Sequence, residues 1–228
     1  LAAWLVMGLV DLNNPEHLLV VGVATMALIV AGLLSSTFHL GHPERAWRAL
    51  TQWRSSWLSR EGVLAVLALI AMAVWGLYYI RHGTPPFWAS GLIVVLLALT
   101  VYATSMIYAS LRTVARWHHP LTPVCYLMFA ASSGLMAVLS VLAVLGQTID
   151  APLLFATILM VASSWVIKII WWKLAGAAGS GSSLATATGL GDLGPVRSII
   201  PPHSSENYLQ HEMGFVVARK HAAQLRAA

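Results

Sequence analysis

The chain has 228 residues, of which 58% are hydrophobic and only 9% charged, and its formal net charge is +5. An ordinary globular domain carries about 25% charged residues, so a soluble fold of this composition would leave too much apolar surface in water. The positive charges lie between apolar runs, beside a membrane, and are not a signal of nucleic-acid binding. The composition therefore indicates a protein that lies in the lipid bilayer.

Five apolar runs follow one another along the chain, at residues 18–38, 62–80, 89–109, 124–146 and 152–172. Each comes close to the roughly 20 residues that cross a hydrocarbon core about 30 Å thick. None shows the alternation of a membrane barrel strand, so all five are predicted to be transmembrane helices. Residues 1–10 are apolar but too short to span, and are interpreted as half of an earlier helix. The predicted fold is all-α, a polytopic transmembrane helix bundle with five full spans and a partial first span.

The first long loop carries a helix signal of its own. Pro43 and Glu44 are typical of a helix start. Large apolar residues recur beyond them at helical spacing: Trp47, Leu50, Trp53 and Trp57. The pattern predicts an amphipathic interfacial helix near 43–57, although an ordinary belt of tryptophans would have the same geometry.

The chain is predicted to divide into two parts. Residues 1–174 form the helix bundle with its interfacial helix, and residues 175–228 form a tail on the cytoplasmic side. The tail begins with a Gly/Ala/Ser/Thr-rich flexible segment and regains amphipathic helical character over residues 206–226, where it is expected to lead to further spans.

Successive loops alternate between the two sides of the membrane. Loops 11–17, 81–88 and 147–151 hold one Lys or Arg between them, Arg81. The other side, here called the Arg-rich side, holds six in loops 41–60 and 111–123: Arg45, Arg48, Arg54, Arg60, Arg112 and Arg116. The positive-inside rule places the Arg-rich side in the cytoplasm, although arginines that dock a partner would bias the tally.

Two ionisable residues lie at neighbouring ends of successive spans. His39 closes one predicted span and Glu61 opens the next, so an antiparallel hairpin brings both to the Arg-rich side. Reduction of a quinone takes up two protons with two electrons, and an imidazole beside a carboxylate can supply them. The pair predicts a quinone site. The alternative is a solvated pair of helix ends, or ion pairs with Arg45 or Arg60.

The sequence offers little for metal binding. The single cysteine, Cys125, cannot hold an iron–sulfur cluster alone, so any cluster is expected in a partner subunit. His118 and His119 with His39 raise the alternative of haem ligation, but the two adjacent histidines before Pro120 are typical of a helix end. No metal site and no haem is expected in this chain.

The segments 38–48 (FHLGHPERAWR) and 59–61 (SRE) resemble the membrane anchor subunits of the DMSO reductase family. The resemblance implies eight spans in a full-length member and two partners, a molybdopterin catalytic subunit and an iron–sulfur subunit. It also implies quinone-binding roles for residues within these segments: His39, Gly41, Pro43, Arg45 and Glu61. The remaining arginines of the Arg-rich side are expected to dock the partner: Arg48, Arg54, Arg60, Arg112 and Arg116.

Two further pairs of segments resemble one branch of this family, the anchors of quinone-reducing cytoplasmic sulfite dehydrogenases. They are 106–112 (MIYASLR) with 117–123 (WHHPLTP), and 206–215 (ENYLQHEMGF) with 218–222 (ARKHA). The implied function is to pass electrons from sulfite oxidation to ubiquinone or menaquinone in the bacterial inner membrane, without sulfur chemistry in the anchor. The alternatives are a quinol-oxidising anchor of a DMSO or S-oxide reductase and, more remotely, a small-solute transporter. The spans lack the buried charges and broken helices of transporter sites.

Overall fold

The structure of the chain, a computed structural model, describes residues 15–38, 41–83, 86–144, 146–177, 183–197 and 199. Of residues 15–18, 37 and 177 it describes the backbone alone. The chain divides into two compact units, residues 1–179 and residues 180–228, and each is described by itself.

The first unit consists of five long helices. They are α1 (Pro15–Phe38), α2 (Trp57–His82), α3 (Phe87–Ala109), α4 (Leu121–Val144) and α5 (Ala151–Ala177). Each is long and apolar enough to cross a membrane, which confirms the predicted helical bundle. Only between 6% and 28% of each spanning window is buried within the described bundle, so most apolar side chains are exposed on its surface.

The tightest packing joins α2 to α3. A cluster of buried side chains fills their interface: Ala68, Met72, Trp75, Ile93 and Leu97. The Trp75 indole nitrogen donates a hydrogen bond to the Ser90 hydroxyl at 3.0 Å, so the polar group of this large ring has a buried partner.

Helix α4 packs against both α1 and α5. Val21 of α1 packs in one buried cluster with Val138 and Leu142 of α4. The Ser164 hydroxyl of α5 donates to the backbone carbonyl of Met128 in α4 at 3.1 Å. Small polar side chains of this kind join helices in lipid, where apolar contact with a neighbouring helix gains nothing over contact with lipid tails.

The loop between α1 and α2 differs from the predicted single helix near 43–57. A 3-10 helix covers Pro43–Leu50, turns follow over 51–55, and Trp57 is already the first residue of α2. The physical reason is Arg60, which donates from Nε to the Trp53 carbonyl at 2.9 Å and from Nη2 to the Arg54 carbonyl at 2.6 Å. These carbonyls bind a side chain instead of the amides that would continue a helix.

The second unit is described over residues 183–197 and at 199. It contains a short helix, α6 (Leu184–Thr188), and a 3-10 turn, Gly191–Leu193. Ser183 caps α6 through a reciprocal pair of hydrogen bonds with Thr186. The amphipathic helix predicted over 206–226 lies outside the described residues.

Candidate functional site

Contacts between helices bring the two Arg-rich loops to one end of the bundle. At the start of α2, the Trp57 ring meets Tyr102 near the end of α3 edge to face, with 6.0 Å between ring centroids. Near the end of α5, the Trp171 indole donates to the Thr122 hydroxyl, in the first turn of α4, at 3.1 Å. The ends of four spans therefore meet on the Arg-rich side.

Glu61 lies one turn inside α2 at this end and is half-buried. Its carboxylate accepts a hydrogen bond from the Thr104 hydroxyl of α3, with 2.7 Å between Oε1 and Oγ1. Among the described residues no cation forms an ion pair with Glu61. The ion pairs found there join Glu44 to His42 and to Arg45. The carboxylate is thus held by a neutral hydroxyl.

Thr104 is a site residue that the sequence did not indicate. It lies 43 positions from Glu61, and one threonine in an apolar span carries no signal of its own. The matching depth of the two residues, each about one turn from the end of its helix, is the feature that could have suggested the contact.

A pair of tyrosines continues this face of α3. Tyr108 lies one turn beyond Thr104, and its ring stacks on Tyr126 of α4 with 5.8 Å between centroids.

Ser59 supplies an unpaired polar atom in the first turn of α2. The residue is 1% exposed, and its hydroxyl has no hydrogen-bond partner among the described residues. Buried hydroxyls almost always have a partner, so this atom marks a place where a water or ligand oxygen would be stabilised.

The other residues assigned to quinone binding from the family resemblance lie in the loop before α2 or are not described. Gly41, Pro43 and Arg45 are exposed in the loop, and the Nε of Arg45 lies 3.8 Å from Glu44. His39 follows the last residue of α1 and lies outside the described residues. Its approach to Glu61 therefore stays a prediction.

The five arginines assigned to docking divide into two groups. Arg60 uses its donors within the chain and lies over the Trp57 ring, with Cζ 4.3 Å from the centroid. The other four are exposed on the Arg-rich side: Arg48, Arg54, Arg112 and Arg116. Guanidinium groups that water can reach are available to a partner, so docking stays a prediction for these four.

His118 and His119 line a groove of about 530 Å³ between α3 and α4. The Ala109 carbonyl accepts from Nδ1 of His118 at 2.6 Å, whereas Nδ1 of His119 accepts from the Leu121 amide at 3.2 Å. These bonds fix opposite tautomers of the neutral rings, so Nε2 of His118 is an acceptor and Nε2 of His119 a donor. Among the described residues no three His, Cys, Asp or Glu side chains gather as metal ligands.

The fold and this polar end define a multi-pass helical membrane protein with a carboxylate inside the bundle, beside a basic surface. The family model of the DMSO reductase anchor subunit (DmsC) matches residues 1–185. The chain belongs to the DMSO reductase anchor subunit family, as the motifs at 38–48 and 59–61 predicted.

Comparison with curated proteins finds a sulfite dehydrogenase subunit of Allochromatium vinosum, 39% identical over 136 residues. The matched region covers 54% of this chain and 42% of that relative, so the chain matches less than half of the relative's length. No solved structure matches the chain.

Proposed function

We propose that this chain is the membrane anchor of a molybdopterin and iron–sulfur oxidoreductase complex, and that it passes electrons from sulfite oxidation to a quinone bound beside Glu61. The family supports the anchor role, and the relative named as a sulfite dehydrogenase subunit supports the substrate. In this proposal the anchor does no sulfur chemistry, and the partner subunits hold the molybdopterin and the iron–sulfur clusters.

The observation that carries the proposal is the environment of Glu61. A carboxylate one turn inside a membrane helix is energetically costly, so its presence there points to a function. Glu61 is bonded to a neutral hydroxyl and to no cation among the described residues, so it can gain or lose a proton without breaking an ion pair. A quinone takes up two protons when it is reduced, and a carboxylate of this kind can deliver them from the aqueous side.

The predicted imidazole partner for a quinone head group is His39, next to the end of α1. In this proposal Glu61 and His39 bind the quinone oxygens and exchange protons with them. Thr104 holds the carboxylate in position, and the lipid-facing helices give the apolar quinone, ubiquinone or menaquinone, access from the bilayer.

The Arg-rich side is proposed to face the cytoplasm of a bacterium with this chain in its inner membrane. An electron donor must lie close to the quinone, so the iron–sulfur partner is placed on the same side as Glu61. The four arginines available to a partner then form its docking surface, and the positive-inside rule agrees with that orientation.

The test is Glu61→Gln in membranes that contain the whole complex, with Glu44→Gln as the matched control. Both changes remove one carboxylate on the same side, but Glu44 is exposed and lies in the loop. We expect sulfite-dependent quinone reduction to fall about 100-fold in Glu61→Gln, the scale of a lost acid–base group, and to be unchanged in Glu44→Gln.

Partner assembly is measured in the same samples by co-purification of the molybdenum subunit and by sulfite oxidation with a soluble dye as acceptor. Full quinone reduction by Glu61→Gln, with assembly intact, would refute the site. Electrons that flow instead from a quinol analogue to DMSO, with none from sulfite, would refute the direction and favour an S-oxide reductase.

A further inference from the structure

Lys168 is a cation inside the last described span. It lies in α5, nine positions before the end of that helix, in a run that was predicted to cross the membrane. Its ammonium lies over two tryptophan rings further along the helix, 4.0 Å from the Trp171 centroid and 5.4 Å from that of Trp172. The side chain therefore extends toward the Arg-rich side.

The depth of this ammonium follows from the partner of Trp171. The indole of Trp171 is bonded to Thr122, the second residue of α4. The ring beneath the ammonium is therefore level with the start of a span, which is where the head groups of the bilayer lie.

A cavity of about 300 Å³ opens beside Lys168, between α4 and α5. Tyr108 and Tyr126 contribute phenol groups to its lining, Trp117 and Trp171 contribute aromatic walls, and Thr122 contributes a hydroxyl. The lining contains one cation and no carboxylate. A water molecule occupies about 30 Å³ in the liquid, so this volume has room for a larger group.

The cation has no counter-ion among the described residues, where the ion pairs involve Glu44 alone as the acid. Glu61 is bonded to Thr104 and makes no ion pair with Lys168. An ammonium that is half-buried next to lipid is stabilised by a nearby anion, since water reaches it only in part. The site therefore lacks one component, a negative charge at head-group depth.

We infer that this cavity binds the phosphate of an anionic phospholipid, with Lys168 as the charged contact and a tyrosine hydroxyl, of Tyr108 or Tyr126, as a donor. A lipid fits better than a soluble anion because Lys168 shares its helix face with two tryptophans of a predicted span, Trp165 and Trp172, which are 50% and 49% exposed. A head group can therefore enter from the bilayer while its acyl chains stay in lipid.

The test uses the purified complex in zwitterionic phosphatidylcholine nanodiscs and three variants of α5. Lys168→Gln removes the charge, Lys168→Arg keeps it, and Lys173→Gln removes an exposed charge one turn further along the same helix. The measurements are the phospholipid retained per complex, by native mass spectrometry, and the rise in melting temperature on adding phosphatidylglycerol or inorganic phosphate.

We expect the wild type, Lys168→Arg and Lys173→Gln to retain phosphatidylglycerol and to be stabilised by it. Lys168→Gln should bind it about five- to tenfold more weakly, the scale of one basic residue at a membrane surface. Equal retention by Lys168→Gln, when it melts like the wild type in phosphatidylcholine alone, would overturn the inference. So would equal stabilisation by inorganic phosphate, which would mark a site for a soluble anion.

Discussion

Replacement of Arg60 by lysine is expected to loosen the loop that covers the start of α2. The guanidinium holds the carbonyls of Trp53 and Arg54 at 2.9 and 2.6 Å and lies over the Trp57 ring. Lysine keeps the charge but loses the planar fork, so it can replace one of these bonds and not the whole arrangement.

The size of the effect follows from these contacts. A hydrogen bond to a carbonyl contributes about 1 kcal/mol net where water competes, and an exposed cation–π contact about 0.5–1 kcal/mol. Loss of one bond and most of the ring contact therefore costs about 1.5–2 kcal/mol. Since about 1.4 kcal/mol corresponds to a tenfold change in an equilibrium, the open state of the loop should become about 10- to 30-fold more populated.

Hydrogen exchange of the purified complex measures this opening. The amides of Ser55 and Ser56 both bind the Gln52 carbonyl, at 3.1 and 2.9 Å, and a peptide over the loop reports their protection. Arg54→Lys is the control, because Arg54 lies in the same loop and carries the same charge as Arg60. Its guanidinium lies over an exposed ring, 5.8 Å from the Trp53 centroid. Unchanged exchange in Arg60→Lys, or equal loosening by both variants, would refute the reasoning. If Arg60→Lys lost the iron–sulfur partner without faster hydrogen exchange in the loop, Arg60 would be a docking residue, as the family resemblance implied.

Two further predictions concern the start of α2. Ser59→Ala should leave the melting temperature unchanged or raise it by a degree or two, because the buried hydroxyl has no partner among the described residues; a clear fall would show that this hydroxyl has a partner in the assembled complex. Gly62→Val should push the Leu50 side chain away from α2 and lower quinone reduction by no more than about threefold, because a Cβ at Gly62 would lie 2.8 Å from the flexible end of that side chain, Cδ2. The double variant with Leu50→Ala should recover most of the rate, and no recovery would contradict that steric account.

The spans could be predicted from sequence because apolar length is a local property. The run predicted from residue 62 is the core of α2, which the structure starts at Trp57. The difference comes from residues 57–61, which precede that run. They include polar side chains, and these lower the mean hydropathy of the segment. Ser56 caps the helix there, since its hydroxyl accepts from the Ser59 amide at 3.4 Å.

The loop and the partner of Glu61 could not be read from a linear pattern. Tryptophans at helical spacing predicted a continuous interfacial helix, but the carbonyls needed for it bind Arg60, which belongs to the next span. The bond between Glu61 and Thr104 joins two helices whose sequences carry no common signal. Both features depend on tertiary contacts, which hydrophobic periodicity does not report.

The placement of the cations at this end of the bundle bears directly on how Glu61 can act. A carboxylate paired with a guanidinium or an ammonium is stabilised in its charged form, and it gives up that stabilisation when it takes a proton. Two cations at this end are occupied elsewhere, Arg60 with loop carbonyls and Lys168 with tryptophan rings. If quinone reduction depends on proton exchange at Glu61, a carboxylate without a paired cation is free to take part. A new cation beside it, as in Thr104→Lys, should therefore slow quinone reduction more than Thr104→Val, which removes only the hydroxyl.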